Sequence, residues 1–208
     1  MTADFSALRR ALVDPPSRPL IDFDRTPRGK RSAAVLMLFS DRPDPEIVFV
    51  RRASTLRRHA GQMALPGGRI DDVDGGPVGA ALREAEEEVG LTPHEVSVMG
   101  ELPPLWVPAS NYDVTTVVAT WPGGELDAVD IAETESVHQY PVSMLTSADV
   151  RMTCEHPAGF RGPAFVLPDS FIWGLTAHLL DWVLELAGWD QGWDRERVVP
   201  IPNEYMRD

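Results

Sequence analysis

The chain has 208 residues, 43% of them hydrophobic and 25% charged, which is the composition of an ordinary soluble globular protein with one sizeable core. Its net charge of -13 argues against general nucleic-acid binding. A single cysteine, Cys154, excludes an intrachain disulfide and any multi-cysteine zinc site, and fits a reducing cytoplasm.

Taken in chain order, "MTADFSALRRALVD" lacks the apolar core and cleavage site of a signal peptide, and residues 4–13 read as a short amphipathic helix. The Pro-rich "DPPSRPLIDFDRTPRGK" is a lead-in with little regular structure. "SAAVLMLF" (32–39) and "EIVFV" (46–50) predict a strand pair around a Pro/Asp turn. Residues 51–76, rich in Arg and Gly, read as a long loop of the kind that often carries function. A helix is expected over 77–90, with Pro77 near its start and Gly90 at its end.

"EVSVMGEL" (95–102) and "DVTTVVATW" (113–121) predict strands separated by "PPLWVPASNY", and "SVHQY" (136–140) a further one. "PVSMLTSAD" resembles a helical turn, "RMTC" and "AFVL" short strands, and 169–188 a helix. Phe171–Leu186 is too short to cross a bilayer and carries His178, Asp181 and Glu185, so it is expected to be buried, not membrane-spanning. With no repeat or internal linker, the economical fold is α/β, a mixed sheet between helices. The expected division is an N-terminal helix and lead-in (1–29), one domain (30–190) and a C-terminal tail (191–208).

Charge is distributed unevenly. Residues 1–70 carry 13 Lys/Arg against 7 Asp/Glu, and the remainder 6 against 25. A basic first third beside an acidic remainder suits an anionic ligand bridged by metal cations, although solvated surface would give the same count.

"LREAEEEVGL" (82–91) places four glutamates in five positions. On a helix wheel Glu84, Glu87 and Glu88 share an arc of about 100°, beside an apolar stripe of Val78, Ala81, Leu82, Ala85 and Val89. Glu86 points away. Like charges at this spacing repel by a few tenths of a kcal/mol per pair, roughly. A hard divalent cation, Mg²⁺ or Mn²⁺, would offset that repulsion, and a merely solvated face would tolerate it. Arg83 on the flank is placed to orient one of the acids.

Upstream stands "LPGGRIDDVDGG". Gly68, five residues, Asp74, eight residues, then Arg83-Glu84-Ala85-Glu86-Glu87-Glu88-Val89-Gly90-Leu91 resembles the signature of the Nudix hydrolases. The second half matches at every fixed position. In the first half Asp74 stands where Glu is usual, and eight residues replace seven, which puts the role of Asp74 in question. A second array, Arg52-Ala53…Arg57…Gly61…Leu65-Pro66-Gly67-Gly68, resembles the motif of the coenzyme A pyrophosphatase branch, with Leu65 in place of Phe. Downstream, "LPPLWVPASNYDVTTVVA", "ETESVHQYPVSML" and "FIWGLTAHLL" also resemble that branch, so the likeness covers roughly residues 30–188.

The resemblance implies a Nudix α/β/α sandwich and metal-dependent hydrolysis of the diphosphate bond of coenzyme A or its derivatives. The products would be 4'-phosphopantetheine and adenosine 3',5'-bisphosphate. It implies Glu84 and Glu88 as principal metal ligands, Glu87 as third carboxylate, and a carbonyl of Gly67 or Gly68 assisting. Glu88, Glu87 or Glu133 would serve as catalytic carboxylates. Arg52, Arg57 and, less directly, Arg58 would bind phosphate oxygens alongside Gly61, Gly67 and Gly68. Each also has a bland reading, as an exposed acid or a surface cation. His59 is a further loop residue in reach of phosphate.

Trp106 and Tyr112 suit either adenine stacking or the core. Trp173 and Trp182 are expected in packing, and Cys154 as an inert buried thiol. His94, His138, His156 and His178 lack metal-like spacing. Two other readings remain open: hydrolysis of another nucleoside diphosphate derivative such as ADP-ribose or a dinucleotide, and a non-catalytic nucleotide-sensing module. A homodimer is also possible.

Overall fold

Strand β1 (Arg31–Ser40) is the axis of the structure, and its two halves have different neighbours. It runs parallel to β6 (Tyr112–Trp121) from Arg31↔Tyr112 to Ser40↔Trp121. On its other edge the first half pairs with β4 (Gly67–Arg69), and only Phe39 near the end pairs with β2 (Glu46–Arg52), at Ile47. β2 therefore splays away from β1, and the glycine-bearing β4 enters the gap. β2 continues outward to β3 (Met63–Ala64) and β7 (Thr134–Pro141), while β5 (Ser97–Val107) closes the far edge on β6. A computed structural model of the chain describes residues 3–15, 28, 29 and 31–206. Most of the Pro-rich lead-in expected from the sequence lies outside these residues.

Alternation along the strands builds two cores. Ala34, Leu36 and Leu38 of β1, Val48 and Val50 of β2, and Val117 and Ala119 of β6 face helix α2 (Pro77–Val89), which buries Ala80, Ala81, Ala85 and Val89. The intervening Met37, Phe39, Ile47, Phe49 and Val118 face the other way, onto α1 (Ser6–Val13) and α4 (Gly174–Leu186). This is the expected α/β/α layering, with one parallel pair making the sheet mixed.

The structure goes beyond the sequence reading in three places. β5 runs through Pro103 and Pro104 to Val107, where the strand was expected to end at 102. It is an edge strand, and its register shifts between Leu102 and Leu105, so two prolines cost it little hydrogen bonding. Second, β8 (Arg151–Glu155), β9 (Arg161–Val166) and β10 (Phe171–Ile172) form a separate sheet. Third, the chain after 190 adds β11 (Val198–Pro200), parallel to β8, and Ile201 joins Cys154, Ala164 and Phe171 in a small third core. Among the described residues no helix is long and apolar enough to cross a membrane.

Candidate active site

The glutamate helix meets the glycine strand where β2 leaves β1. Gly68 lies against Glu84 so closely that a Cβ there would sit 2.3 Å from Oε1 of that glutamate and would push the carboxylate aside. Next to it the Gly67 backbone N–H donates to Glu88 Oε2 at 3.0 Å. Glu88 is 4% exposed, a carboxylate on the buried face of α2. Burial pushes its pKa up to about 7; the Gly67 N–H and the Arg52 charge oppose this, and the charges of Glu84 and Glu133 add to it. Glu84, half-buried, is raised by the same desolvation, against the pull of Arg83.

The three glutamates are thus not equivalent. Glu88 is buried, Glu84 sits on the glycine strand, and Glu87 is exposed. Arg83 ties the outer part together. Its Nη1 donates to Glu84 Oε1 at 3.0 Å and to Glu87 Oε2 at 3.1 Å, and its Nη2 donates to the Arg69 carbonyl. Its fork also grips Asp74, with Nε to Oδ1 at 2.8 Å and Nη2 to Oδ2 at 3.1 Å. The Arg83 guanidinium holds the Asp74 carboxyl below its usual range. Asp74 therefore acts on the arginine, not on the glutamates.

That contact depends on a residue the sequence reading passed over. A Cβ on Gly79, in the first turn of α2, would lie 1.9 Å from the Asp74 carbonyl oxygen. Its absence lets the short 3₁₀ turn Asp72–Asp74 pack on the helix, accommodating the extra residue before Arg83. A glycine inside an otherwise good helical sequence was the available signal.

The other site residues arrive from two loops. Val129 N–H donates to the Glu88 carbonyl at 3.0 Å, and Ala53 N–H to the Glu133 carbonyl at 2.8 Å. The 129–133 turn is thereby tied to both the end of α2 and the Arg52–Ala53 motif, and the Glu133 charge is felt at Glu84 and Glu88. The Arg52 and Gly61 backbones close on one another, Gly61 N–H donating to the Arg52 carbonyl at 3.0 Å. Arg57 and Arg58 are exposed on that loop, and His59 turns inward to Gln62.

Other residues divide as follows. Trp106 and Tyr112 lie outside the core clusters, near the β5–β6 turn, under the guanidinium groups of Arg28 and Arg31 respectively. Trp182 and His178 are buried on α4, and Trp173 packs on the third core. Cys154 is buried, with its thiol pushed up by desolvation. His156 stacks on Phe160, and His138 bonds to Ser136 and Tyr140.

The donor set at Glu84, Glu88 and the glycine strand is all oxygen, which suits a hard divalent cation, and the buried, poorly satisfied Glu88 would gain most from one. Among the described residues no three of His, Cys, Asp or Glu already converge in metal-holding geometry. Arg83 occupies Glu84 and Glu87 instead, as an internal cation.

Comparison with known proteins agrees with this arrangement. The NUDIX domain model matches residues 29–154. The chain is 36% identical over 170 residues to the uncharacterised Nudix hydrolase NudL of Shigella flexneri serotype 5b (strain 8401), covering 78% of this chain and 85% of that protein. It is 37% identical over 163 residues to the NudL of Cronobacter sakazakii (strain ATCC BAA-894), covering 75% and 82%. Among solved structures, a NUDIX hydrolase from Nitrosomonas europaea superposes with a TM-score of 0.50 at 13% identity, over 83% of this chain and 80% of that one, a likeness of fold. With a glutamate helix braced on a glycine strand and relatives of this similarity, the chain belongs to the Nudix hydrolase family.

Proposed function

We propose that the chain hydrolyses the diphosphate bond of coenzyme A or its derivatives, giving 4'-phosphopantetheine and adenosine 3',5'-bisphosphate. The observation that carries this reading is the physical continuity of its two motifs. The Arg52…Gly61 loop leads into Gly67, whose N–H binds Glu88, and the Arg52 charge acts on the same carboxylate. Residues that would select a coenzyme A diphosphate are thus joined to residues that would cleave one.

Bound Mg²⁺ or Mn²⁺ would neutralise the diphosphate and make a bound water acidic enough to attack phosphorus. Glu84 and Glu88 are the residues to hold the cation, with Glu87 once released from Arg83, and a Gly68 carbonyl beside them. Arg52 and Arg57 bind phosphate oxygens by paired N–H donors. Glu133, exposed on a separate loop tied to Ala53, is not among the residues assigned to the cation, and we assign it to take the proton of the water. Residues 30–190 form the catalytic unit on this reading.

The test is product analysis. Purified protein is incubated with coenzyme A, ADP-ribose or a dinucleotide, with Mg²⁺, Mn²⁺ or chelator. Metal-dependent release of adenosine 3',5'-bisphosphate, lost in Glu84→Gln and Glu88→Gln, is the expected result. Turnover of ADP-ribose alone would retain the metal helix and reject the reading of residues 52–68.

A further inference from the structure

A cleft of about 260 Å³ opens beside the 52–68 loop, lined among others by Arg51, Ser54, Gly61, Glu135, Glu204 and Tyr205. Its inner wall is the same loop that backs Arg52, since Gly61 N–H donates to the Arg52 carbonyl. Its outer wall comes from the last described residues of the chain. Gln62 Nε2 donates to the Tyr205 carbonyl at 2.8 Å, and the Tyr205 ring stacks on Phe171 at 6.0 Å between centroids. That segment lies outside residues 29–154, so it is an addition to the shared domain.

The lining restricts what would enter. One guanidinium faces two carboxylates, so a phosphate group would be repelled at least as much as attracted. An uncharged amide chain meets no such conflict: its N–H groups could donate to Glu135 and Glu204, and its carbonyls could accept from Arg51 and Ser54. The volume falls below the roughly 300–1,000 Å³ that encloses a drug-sized ligand, and so fits one arm of a larger molecule.

We propose that this cleft binds an uncharged, amide-bearing arm of the substrate, with Tyr205 as its specificity wall. The identification of that arm as the pantetheine half of coenzyme A rests on the function proposed above. In this arrangement the diphosphate lies at Arg52 and the glutamates, and the arm runs past Gly61 into the cleft.

Calorimetric titration of free pantetheine into the full chain, in chelator, tests the cleft without turnover. Ser54→Trp fills it from an exposed rim position, and Tyr205→Ala removes the wall. Wild type is expected to bind pantetheine, Ser54→Trp and Tyr205→Ala to bind at least tenfold more weakly, and both to raise KM for coenzyme A about tenfold with most of the loss in KM and not kcat. Absence of pantetheine binding to wild type, or equal binding by the two variants, overturns the proposal. The two readings fail separately. Coenzyme A hydrolysis with KM unmoved in both variants removes the cleft and leaves the function. Pantetheine binding lost in Ser54→Trp without any hydrolysis of coenzyme A by wild type keeps the cleft and removes the function.

Discussion

Two buried charges in this molecule are treated in opposite ways. Arg151, on β8 in the second sheet, is 1% exposed and bridged to two carboxylates, with its Nε alone lacking a hydrogen-bond partner among the described residues. Its Nη2 binds Asp181, its Nη1 binds Asp190 at 2.6 Å, and its guanidinium lies over Phe165 and Trp193 at 5.7 and 5.2 Å. Despite its own desolvation, Asp190 is held below the usual carboxylate range by the Gly192 N–H and by Arg151. Glu88, on α2, is about as deeply buried and has one backbone N–H, with the charges of Glu84 and Glu133 beside it. A buried charge kept for folding is paired, and one with few partners is a candidate for ligand binding. The second sheet balances its buried charge internally, and on the function proposed above the glutamate helix carries an unfavourable arrangement for the sake of chemistry.

The largest effect expected from breaking this contrast is on turnover. Glu88→Gln and Glu84→Gln should each lower kcat on the order of 10³-fold, within the range set by loss of a metal-activated water. Circular dichroism should show both folded. Retention of a tenth of the activity by Glu88→Gln would mean that the buried carboxylate is structural after all.

Arg151→Ala should act on the other side of the comparison. Removing one partner of a buried ion pair costs about 3–5 kcal/mol, and the partial exposure of Asp181 and Asp190 favours the lower end. Urea denaturation would read this as a lower midpoint, while kcat per folded molecule stays near wild type. A loss below about 1 kcal/mol would place this pair with ordinary surface bridges.

Next in size is a pH effect on the metal-free protein. The folded-state pKa of Glu88, about 7, lies above its ordinary 4.5, so the folded state binds more protons between those values. Stability should therefore fall as pH rises from 4.5 to 7, by up to about 3 kcal/mol from this group. Glu88→Gln removes the penalty, so in chelator at pH 8 it should be more stable than wild type. Denaturation midpoints with pH for the two proteins decide it, and parallel curves would show that Glu88 does not titrate as its burial implies.

Legibility in the sequence followed local chemistry. The helix from Pro77, the longer strands of the first sheet and the three glutamates could be read because periodicity and motif spacing are properties of short stretches, whereas β3 and β4, two and three residues long, lie in what was expected to be loop. The burial of Glu88 could not, since the wheel places it beside the apolar stripe without saying how far the strand behind it closes over. In the second sheet "RMTC" and "AFVL" could be read as β8 and β9, but β10 is two residues long and lies in the stretch expected to be helical from 169, where the helix starts only at Gly174, and β11 pairs across more than forty positions. Gly79 was visible as a glycine in a helix, but its meaning lies in the Asp74 carbonyl that packs on it. The cleft at Tyr205 required a tail contact that no local pattern encodes.

The smallest effect should come from Asp74, which touches Arg83 and none of the glutamates. Its two hydrogen bonds take Nε and Nη2 of the arginine, leaving Nη1 to divide itself between Glu84 and Glu87. With Asp74→Asn the fork loses its ionic partner, and Arg83 should lean toward the glutamates and compete with a cation for them. The expected result is a rise of about tenfold in the Mg²⁺ or Mn²⁺ concentration needed for half-maximal rate, as for loss of an outer-shell partner, with the rate restored at saturating metal. Asp74→Glu keeps the charge and should recover most of the affinity. If the rate at saturating metal stays low in Asp74→Asn, Asp74 bears on the reaction itself. The contrast between an ion-paired arginine and a glutamate held by a backbone N–H would then extend only as far as the second sheet, because the arginine at the active site would be doing chemistry as well as holding it in place.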